Sequence, residues 1–354
     1  MKSYREQLAE FTREADLWEP LEGTRVRCLA CGHRCPVLDG FPGVCKVREN
    51  RGGKLYAPHG YVHALACDPI EKKPFFHVCP GGTALSFGMI GCDLHCAYCQ
   101  NWVSSQALRD PQAEAGLHPC TAGGIVDAAL RRQAVCVVST YNEPLITAEW
   151  AVEIFRLAKP RGLLTGFVSN GNATPEVLAY LRPHLDLFKV DLKSFNERRY
   201  HELGGRLAPI LDSLGRIHAM GFWLEVVTLV VPGFNDTPDE LRAIARFLAG
   251  ISCDIPWHVT AFHPDYRMTE QERTPASTLR RAAELGVEAG LRYVYAGNLP
   301  GRLEGWENTY CPACRALLVE RRGFRVLRNL LAPGGRCPRC ASAIPGVWEP
   351  PRQV

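Results

Sequence analysis

The segment that decides the fold runs from Gly88 to Trp102 and has the sequence GMIGCDLHCAYCQNW. Its eight-residue centre carries three cysteines, Cys92, Cys96 and Cys99, and follows the apolar, strand-like run Ala84–Ile90. Three thiolates hold three corners of an iron–sulfur cluster and leave one iron without a protein ligand. An open coordination position is typical of catalytic metal sites, because a substrate or cofactor occupies it. The alternative is structural: a zinc ion closed by His95, or buried reduced cysteines.

Strand-like runs and helical patterns alternate after Thr83. Strands are predicted at Ala84–Ile90, Ala134–Thr140, Leu164–Ser169, Leu187–Asp191, Trp223–Val231, His258–Phe262 and Arg292–Ala296. Helices are predicted at Gly124–Arg132, Glu149–Ala158, Pro175–Leu181, Ala208–Met220, Pro238–Ala249 and Thr278–Ala289. This alternation predicts an α/β fold with a parallel sheet, and its length favours a partial (β/α)6-type TIM barrel. The chemistry of such folds lies at the carboxyl ends of the strands.

The CxxxCxxC spacing, with the aromatic Tyr98 before its last cysteine, resembles the signature of the radical S-adenosylmethionine (SAM) superfamily. The resemblance implies that Cys92, Cys96 and Cys99 are the catalytic residues and ligate a [4Fe–4S] cluster whose open iron binds SAM. One electron then cleaves SAM to methionine and a 5′-deoxyadenosyl radical, which abstracts hydrogen from a substrate. Tyr98 becomes a predicted cofactor contact.

Polar segments after the later strands resemble SAM-binding segments of that superfamily. The segment TYNEP, residues 140–144, resembles the one that binds the SAM amino group, although Tyr141 and Asn142 stand where the family has glycines. The resemblance implies cofactor contacts from Asn142, Glu143, Ser169, Asn170, Asp191, Lys193 and His263. Lys193 would face the SAM carboxylate, a charge-assisted pair. Each of these residues also has a simpler interpretation as an ordinary turn residue at a strand end.

One subfamily resemblance spans nearly the whole chain. Its motifs are the cysteine-rich stretch Cys28–Asn50, the segment DPIEKKP (Asp68–Pro74), the central cysteine segment and the tail Ile344–Trp348. They resemble the AmrS-like radical SAM enzyme of the AmmeMemoRadiSam system, which is related to pyruvate formate-lyase-activating enzymes. This resemblance implies Memo-like and AMMECR1-like partner proteins and leaves the substrate undefined.

Eight further cysteines lie in two groups outside the central segment. Cys311, Cys314, Cys337 and Cys340 form two CxxC pairs whose spacing suits a zinc ribbon with four cysteine ligands. Cys28, Cys31, Cys35 and Cys45 have the pattern CxxCxxxCx9C, which suits zinc and a second iron–sulfur cluster equally well. We therefore expect zinc at the C-terminal cysteines and a metal or cluster of open identity at the N-terminal ones.

The composition is that of an ordinary globular protein. The 354 residues are 46% apolar and 22% charged with a net charge of +4, too mild by itself to indicate a nucleic-acid or membrane-surface protein. No stretch approaches 18 uncharged apolar residues, and the first 20 residues lack the apolar core of a signal peptide. We expect a cytoplasmic protein in which the 16 cysteines are reduced or bind metal.

Three parts are predicted along the chain. Residues 1–80 form an N-terminal helix, placed at residues 5–18, and a cysteine-rich module. Residues 81–303 form the partial barrel, and residues 304–354 form a zinc-ribbon-like tail that is too short for a core without a metal.

The leading functional hypothesis is a radical SAM enzyme supplied by an external one-electron reductant. Within it, a protein or peptide substrate is one interpretation. It is favoured by the segments Asp191–Lys193 (DLK) and Val231–Asp236 (VPGFND), which resemble segments of activating enzymes. Small-molecule chemistry that uses a second N-terminal cluster is the other. From a different class, a non-catalytic zinc-binding adaptor would use the same cysteines structurally.

Overall fold

A computed structural model describes residues 4–303 and 305–351 of the protein. The first part of the chain is built from short strands. Its elements are α1 (Tyr4–Glu10), β1 (Thr12–Glu14), β2 (Trp18–Pro20), β3 (Val26–Cys28), β4 (Pro36–Val37), β5 (Glu49–Arg51), β6 (Lys54–Pro58), β7 (Tyr61–Val62) and β8 (Ala64–Pro69). Six of these strands form two three-stranded antiparallel sheets, ordered β1-β6-β5 and β2-β3-β4. β7 pairs with a later strand, His118–Pro119, and β8 is an edge strand of the eight-stranded main sheet.

The helix predicted over residues 5–18 is wrong beyond Glu10. The amide of Phe11 still donates to the Leu8 carbonyl at 2.9 Å, and the chain then becomes extended. β1 pairs with β6 and β2 pairs with β3, so strand partners elsewhere in the sequence determine the conformation. The apolar spacing that suggested a longer helix places Leu17 in the core from a strand-rich segment instead.

Strands and helices alternate through the centre of the chain. The elements are β9 (Thr83–Gly88), α2 (Trp102–Ser105), β10 (His118–Pro119), α3 (Ala122–Arg131), β11 (Cys136–Ser139), α4 (Ala148–Ala158), β12 (Leu164–Ser169), α5 (Pro175–Leu181), β13 (Leu187–Asp191), α6 (Glu197–Glu202), α7 (Leu207–Ala219), β14 (Trp223–Val230), α8 (Pro238–Ile251), β15 (Trp257–Ala261), α9 (Ala276–Glu288) and β16 (Val294–Gly297). The predicted α/β alternation is confirmed.

The main sheet has the order β16-β15-β14-β13-β12-β11-β9-β8. Its strands from β9 to β16 are parallel, and β8 pairs antiparallel with β9 at one edge. In the described residues the edge strands β8 and β16 do not pair with each other, so the sheet is an open, partial barrel. All seven parallel strands therefore deliver their carboxyl ends to one edge.

Helix faces and strand residues share a core on one side of this sheet. Four phenylalanine rings, Phe87, Phe155, Phe167 and Phe188, contact each other in series with centroid separations of 5.8–6.3 Å and tilted or edge-on planes. Such geometry is the favourable one for aromatic pairs. This packing fixes the strands whose carboxyl ends carry the predicted site.

The tail folds into a small sheet and then returns to the beginning of the barrel. Its strands are β17 (Thr309–Tyr310), β18 (Leu317–Arg322) and β19 (Arg325–Asn329), in the order β17-β18-β19. Val347 pairs with Val78 and exchanges backbone hydrogen bonds with His77 and Cys79 at 2.8 and 2.9 Å. The predicted boundary at residue 304 falls outside the described residues, as do residues 1–3 and 352–354.

No helix in the described ranges is both long and apolar enough to cross a membrane.

Candidate functional site

The cysteine loop, residues 92–99, leaves the carboxyl end of β9 and turns into the protein. Cys96 is buried, Cys92 and Cys99 are partly buried, and all three pack in one apolar cluster with Leu94 and Tyr98. The Leu94 amide donates to Cys92 Sγ at 3.4 Å, and Cys99 Sγ lies 3.2 Å from Ser105 Oγ. Burial raises the pKa of Cys96 to about 12, so ionisation of this thiol requires a cation to replace its proton.

The loop is fixed by contacts to its backbone. Arg109 donates to the carbonyls of Cys92 and Leu94 at 2.8 and 3.0 Å, and to the Val44 carbonyl at 2.6 Å. A side chain at Gly204, whose φ is +83°, would place its Cβ 2.2 Å from the His95 ring. The loop therefore packs against the barrel on one side and against the N-terminal part on the other.

The donor set of the loop fits a multi-iron cluster better than a single ion. Among the described residues, the one group of at least three His, Cys, Asp or Glu ligand atoms within 4.8 Å of one another lies at Cys311, Cys314, Cys337 and Cys340. The loop cysteines and His95 therefore do not converge on one point. A cubane distributes its thiolates over different irons, so separated sulfurs suit it.

Two buried carboxyl groups at the loop, Glu143 and Asp93, share Asn170 as a hydrogen-bond donor. Glu143 accepts from Ser169 Oγ at 2.6 Å and from the Asn170 amide at 2.8 Å. Asp93, next to Cys92, accepts from the Asn170 side chain at 2.6 Å. Burial, and secondarily the Asp93 charge, raises the pKa of Glu143 to about 8. Burial therefore disfavours the charged form of Glu143, while both of its oxygens accept hydrogen bonds.

The predicted DLK segment forms an ion-pair group at the end of β13. Asp191 contacts Lys189 and lies 3.6 Å from Lys193 Nζ. The two lysines hold the pKa of Asp191 below its usual value despite its burial, whereas burial lowers the pKa of Lys189. The pKa of Lys193 is raised by Asp191 and by the nearby Cys96 against the effect of burial. A permanent cation thus stands beside the cysteine loop.

These groups meet at a cavity of about 620 Å³ along the strand ends. Six predicted residues line it: Cys96, Tyr98, Cys99, Asp191, Lys193 and His263. The other predicted residues of this site do not line it, namely Cys92, Asn142, Glu143, Ser169 and Asn170. Asn142 accepts from the Met89 amide at 3.0 Å, which places it in the supporting network with Glu143. His263 is half exposed at the mouth, 3.0 Å from Gln100 Nε2.

Several residues at the cavity were not singled out from the sequence. They are Glu71 and Lys73 of the DPIEKKP segment, Lys189, Tyr295, and Glu307 and Phe324 of the tail. Glu71 and Lys73 belong to DPIEKKP, the most specific motif of the sequence apart from the cysteines, and this motif could have indicated that they lie at the site. Lys189 is a charged residue inside an apolar strand, a second usable signal. Nothing local in the sequence marks Phe324.

One buried polar network supports the cavity wall. His258 Nε2 lies 2.7 Å from Glu225 Oε2, and Glu225 also accepts from the amides of Phe76 and His77 at 3.0 and 2.9 Å. Burial lowers the pKa of His258, so the ring is neutral and donates through Nε2. His258 therefore has a satisfied structural role in addition to its place in the cavity wall.

The C-terminal thiol group, Cys311, Cys314, Cys337 and Cys340, has the compactness of a single-ion site. The sulfurs of Cys311 and Cys340, and those of Cys314 and Cys337, are 3.6 Å apart. All four sulfurs lie within 4.8 Å of one another. Four thiolates at such separations fit tetrahedral coordination of one metal ion.

The N-terminal thiol group, Cys28, Cys31, Cys35 and Cys45, lies against the cysteine loop. Burial and the Asp93 carboxylate raise the pKa of Cys31. The same carboxylate lies 3.9 Å from His33 Nε2, and Gly32 donates to the Asn172 carbonyl at 2.8 Å. Asp93 therefore lies between the loop and the N-terminal thiol group. In the described structure these four sulfurs are less compact than the C-terminal set.

Comparison with known proteins adds a family match to this geometry. A family model described as the radical SAM superfamily matches residues 88–248. An uncharacterised protein of Methanocaldococcus jannaschii is 38% identical, and the alignment covers 94% of this chain and 98% of that protein. The isethionate sulfite-lyase activating enzyme of Desulfovibrio desulfuricans is 26% identical over 64% of this chain and 72% of that enzyme. The pyruvate formate-lyase-activating enzyme of Clostridium pasteurianum is 25% identical over 46% of this chain and 67% of that enzyme.

Proposed function

The chain belongs to the radical SAM superfamily and is an enzyme, and from that premise we propose that it abstracts a hydrogen atom from a protein or peptide substrate. A [4Fe–4S] cluster and SAM are the cofactors that this family implies. The single observation that carries the proposal is the cysteine loop at the strand-end cavity, with Lys193 beside it. The similarity to activating enzymes favours a polypeptide substrate.

We propose that Cys92, Cys96 and Cys99 bind the cluster. These three residues would hold the cluster, which would supply one electron for the reductive cleavage of SAM. The thiols are buried, and burial disfavours free thiolates, so ionised cysteines here require a metal partner. The apolar residues Leu94 and Phe262 around the loop exclude water from a reactive species.

Cofactor recognition is proposed for the remaining predicted residues. Lys193 holds the SAM carboxylate, and Tyr98, Asp191 and His263 contribute from the cavity wall. Glu143 and Asn170 do not line the cavity, so contact with SAM would require a shift of the two segments that carry them, residues 140–144 and 169–172. In the described arrangement they support the loop. Asn142 and Ser169 belong to the same supporting layer.

We further propose the AmrS-like specificity that the DPIEKKP motif suggested. Lys73 of this motif lines the cavity, and Glu71 lies behind the wall in a buried ion pair with Arg321, which supports a role for the motif in forming the cavity. Memo-like and AMMECR1-like partners and an external one-electron reductant belong to this proposal. All 16 cysteines are free thiols in the structure, which fits a reducing compartment such as the cytoplasm. The proposal also keeps the division of the chain into an N-terminal part (residues 1–80), a barrel (81–303) and a tail (304–354).

Metal binding is proposed for both flanking cysteine groups. Zinc is the proposed ion at the C-terminal thiol group, because tetrahedral sites with four cysteine ligands are typical of structural zinc. At the N-terminal thiol group we propose a metal centre of more than one ion. The buried Arg48 guanidinium beside Cys28 and Cys45 leaves Nε without a hydrogen-bond partner in the described residues, and an anionic centre would accept from it.

The test is anaerobic reconstitution of the full chain with iron and sulfide, followed by reduction in the presence of SAM. We expect a reducible [4Fe–4S] signal and reductant-dependent 5′-deoxyadenosine from the wild type. Cys96→Ala should abolish 5′-deoxyadenosine formation, whereas Cys136→Ala, a buried cysteine of β11, should retain it. Full activity of Cys96→Ala would falsify the proposal, and zinc without iron at every site would favour the adaptor.

A further inference from the structure

The positive charge of the protein is concentrated in its tail. Residues 304–354 contain eight arginines and four glutamates, a net charge of +4, which equals the net charge of the whole chain. The rest of the chain is therefore neutral overall. A divalent metal with four thiolates at the C-terminal thiol group would contribute −2 and leave the tail at +2. A surface of this sign favours an acidic partner.

Two of the tail arginines face each other unfavourably. Arg322 of β18 and Arg325 of β19 are directly paired in the antiparallel register, and both are exposed. Like charges opposite each other on neighbouring strands destabilise a sheet. Arg328, in contrast, is paired with Glu320. In the described ranges neither Arg322 nor Arg325 forms an ion pair, although the Glu307 carboxylate accepts from the Gly323 amide between them at 3.1 Å. An anionic group from outside would compensate the two arginines.

β19 also has the properties of an open binding edge. It is the last strand of its sheet, with β18 on one side. Phe324, Leu327 and Leu330 on or beside it are 42%, 47% and 41% exposed, although large apolar side chains usually pack inside. Natural proteins normally protect such an edge, and an exposed one is a template for another strand.

The beginning of this edge coincides with the mouth of the cavity. Gly323 and Phe324, which join β18 to β19, line the cavity together with Glu307. A cavity of about 620 Å³ is in the range for a small ligand, and SAM takes a share of it. A polypeptide substrate can therefore place only a short segment inside, and the rest of it must bind outside, next to residues 323–330.

We propose that β19 binds an acidic, extended segment of the substrate polypeptide as an added strand, with an acidic side chain beside Arg322 and Arg325. This inference rests on the proposed function, because it specifies the substrate of that same cavity. Backbone pairing with β19 supplies the affinity, the two arginines select acidic side chains, and the Gly323–Phe324 turn directs the adjoining residues toward the cysteine loop.

The direct test measures binding by fluorescence anisotropy with the reconstituted full chain. The probe is a labelled peptide, Gly-(Glu-Val)5-Gly. Two control peptides replace either every Glu by Lys or every Val by Pro, because proline keeps the charge and removes strand pairing. We expect saturable binding of the first peptide and at least about tenfold weaker binding of both controls. Equal binding of either control, or no binding of the first peptide, overturns the proposal.

Two variants assign the binding to this edge. Arg322→Glu/Arg325→Glu should lower the affinity for the acidic peptide by about tenfold or more. The control Arg131→Glu/Arg132→Glu makes an equal charge change on exposed residues at the end of α3 and should change this affinity by less than about twofold. Metal content and far-UV circular dichroism verify the fold of each variant. Tighter binding of single-stranded dT12 than of the acidic peptide would contradict a polypeptide partner.

The same samples separate this inference from the proposed function. SAM cleavage without peptide should be equal in the wild type and the Arg322→Glu/Arg325→Glu variant. Cleavage with no peptide binding refutes only the strand-addition site. Peptide binding with no SAM cleavage in the wild type refutes the proposed reaction and leaves the site standing.

Discussion

At the scale of single residues, Asp93 has the position with the most consequences. It follows Cys92 directly, is fully buried, and accepts hydrogen bonds from the side chains of Asn170 and Asn172 at 2.6 and 2.8 Å. Its charge also raises the pKa of Cys31 in the N-terminal thiol group. One carboxylate thus links the cysteine loop, the end of β12 and the N-terminal part of the molecule.

A second single residue, Lys193, permits a quantitative prediction on SAM. A charge-assisted hydrogen bond contributes about 1.5–3 kcal/mol, so Lys193→Met should weaken SAM binding by roughly ten- to a hundredfold. Lys72→Met is the matched control, because Lys72 lies at the cavity edge and is half exposed. Equilibrium dialysis of labelled SAM against the reconstituted protein checks both. Unchanged affinity in Lys193→Met would remove this residue from the proposed cofactor contacts.

At the scale of elements, the tail and the N-terminal segment are joined by one buried ion pair. Arg321 of β18 and Glu71 after β8 are both inaccessible to solvent and 3.4 Å apart. Arg321 also donates to the Phe76 carbonyl at 2.6 Å and to Thr309 Oγ1 at 2.8 Å. The two residues are 250 positions apart in sequence. Their pairing determines how the DPIEKKP segment sits over the cavity.

Breaking this pair should be costly. Arg321→Met leaves the Glu71 carboxylate buried without its cation, and such a loss costs about 3–5 kcal/mol in unfolding free energy. Urea unfolding of the metal-loaded protein measures it. Arg321→Met/Glu71→Gln should recover a large part of the loss, because no uncompensated charge remains. Arg328→Met, which breaks an exposed ion pair of the tail, is the control. If it lowered the unfolding free energy as much as Arg321→Met, loss of the buried pair would not explain the destabilisation.

His77 gives the same junction a dependence on pH. Its Nδ1–H donates to the Pro345 carbonyl at 2.7 Å, and its Nε2 accepts from the Tyr295 hydroxyl at 2.6 Å. Burial lowers the pKa of His77 to about 4. The native state therefore binds fewer protons than the unfolded state between about pH 6.5 and about pH 4, so its stability falls as the pH falls through this window.

The expected loss from His77 is about 3 kcal/mol between pH 7 and pH 4. His77→Gln should reduce the slope of unfolding free energy against pH, because Gln keeps polar contacts and does not titrate. The neutral, buried His258 adds a slope of the same sign that persists in this variant. An unchanged slope in His77→Gln would contradict the assignment.

The elements also show what the sequence could and could not predict. β12, β13 and α5 have the predicted bounds, because continuous apolar runs in buried strands and helical spacing of apolar residues both reflect burial directly. The cysteine loop was predicted for the same local reason, since its ligands are close in sequence. The helix beyond Glu10 and the cavity wall at Phe324 depend on partners far along the chain, which no local pattern encodes. The inward burial of Glu143 was likewise set by Asn170 and Asp93, from two other loops.

At the scale of the whole molecule, the C-terminal thiol group lies next to the wall that completes the cavity. Its sulfurs are on the segments that flank β18 and β19, and the turn between these strands lines the cavity, so a metal ion bound there would stabilise this wall. We expect Cys337→Ser/Cys340→Ser to lose one metal equivalent per chain and to keep the iron of the cysteine loop. Elemental analysis after anaerobic purification measures both. Parallel loss of iron would show that the two sites are interdependent.

The cavity wall draws on stretches as distant as residues 71–74 and 323–324. During translation the ribosome therefore releases the cysteine loop long before the tail exists to cover it. A nascent chain at that stage presents its three thiols to small molecules from the side that later closes. We therefore expect the yield of active protein to depend on whether the cluster is assembled before or after the tail is synthesised.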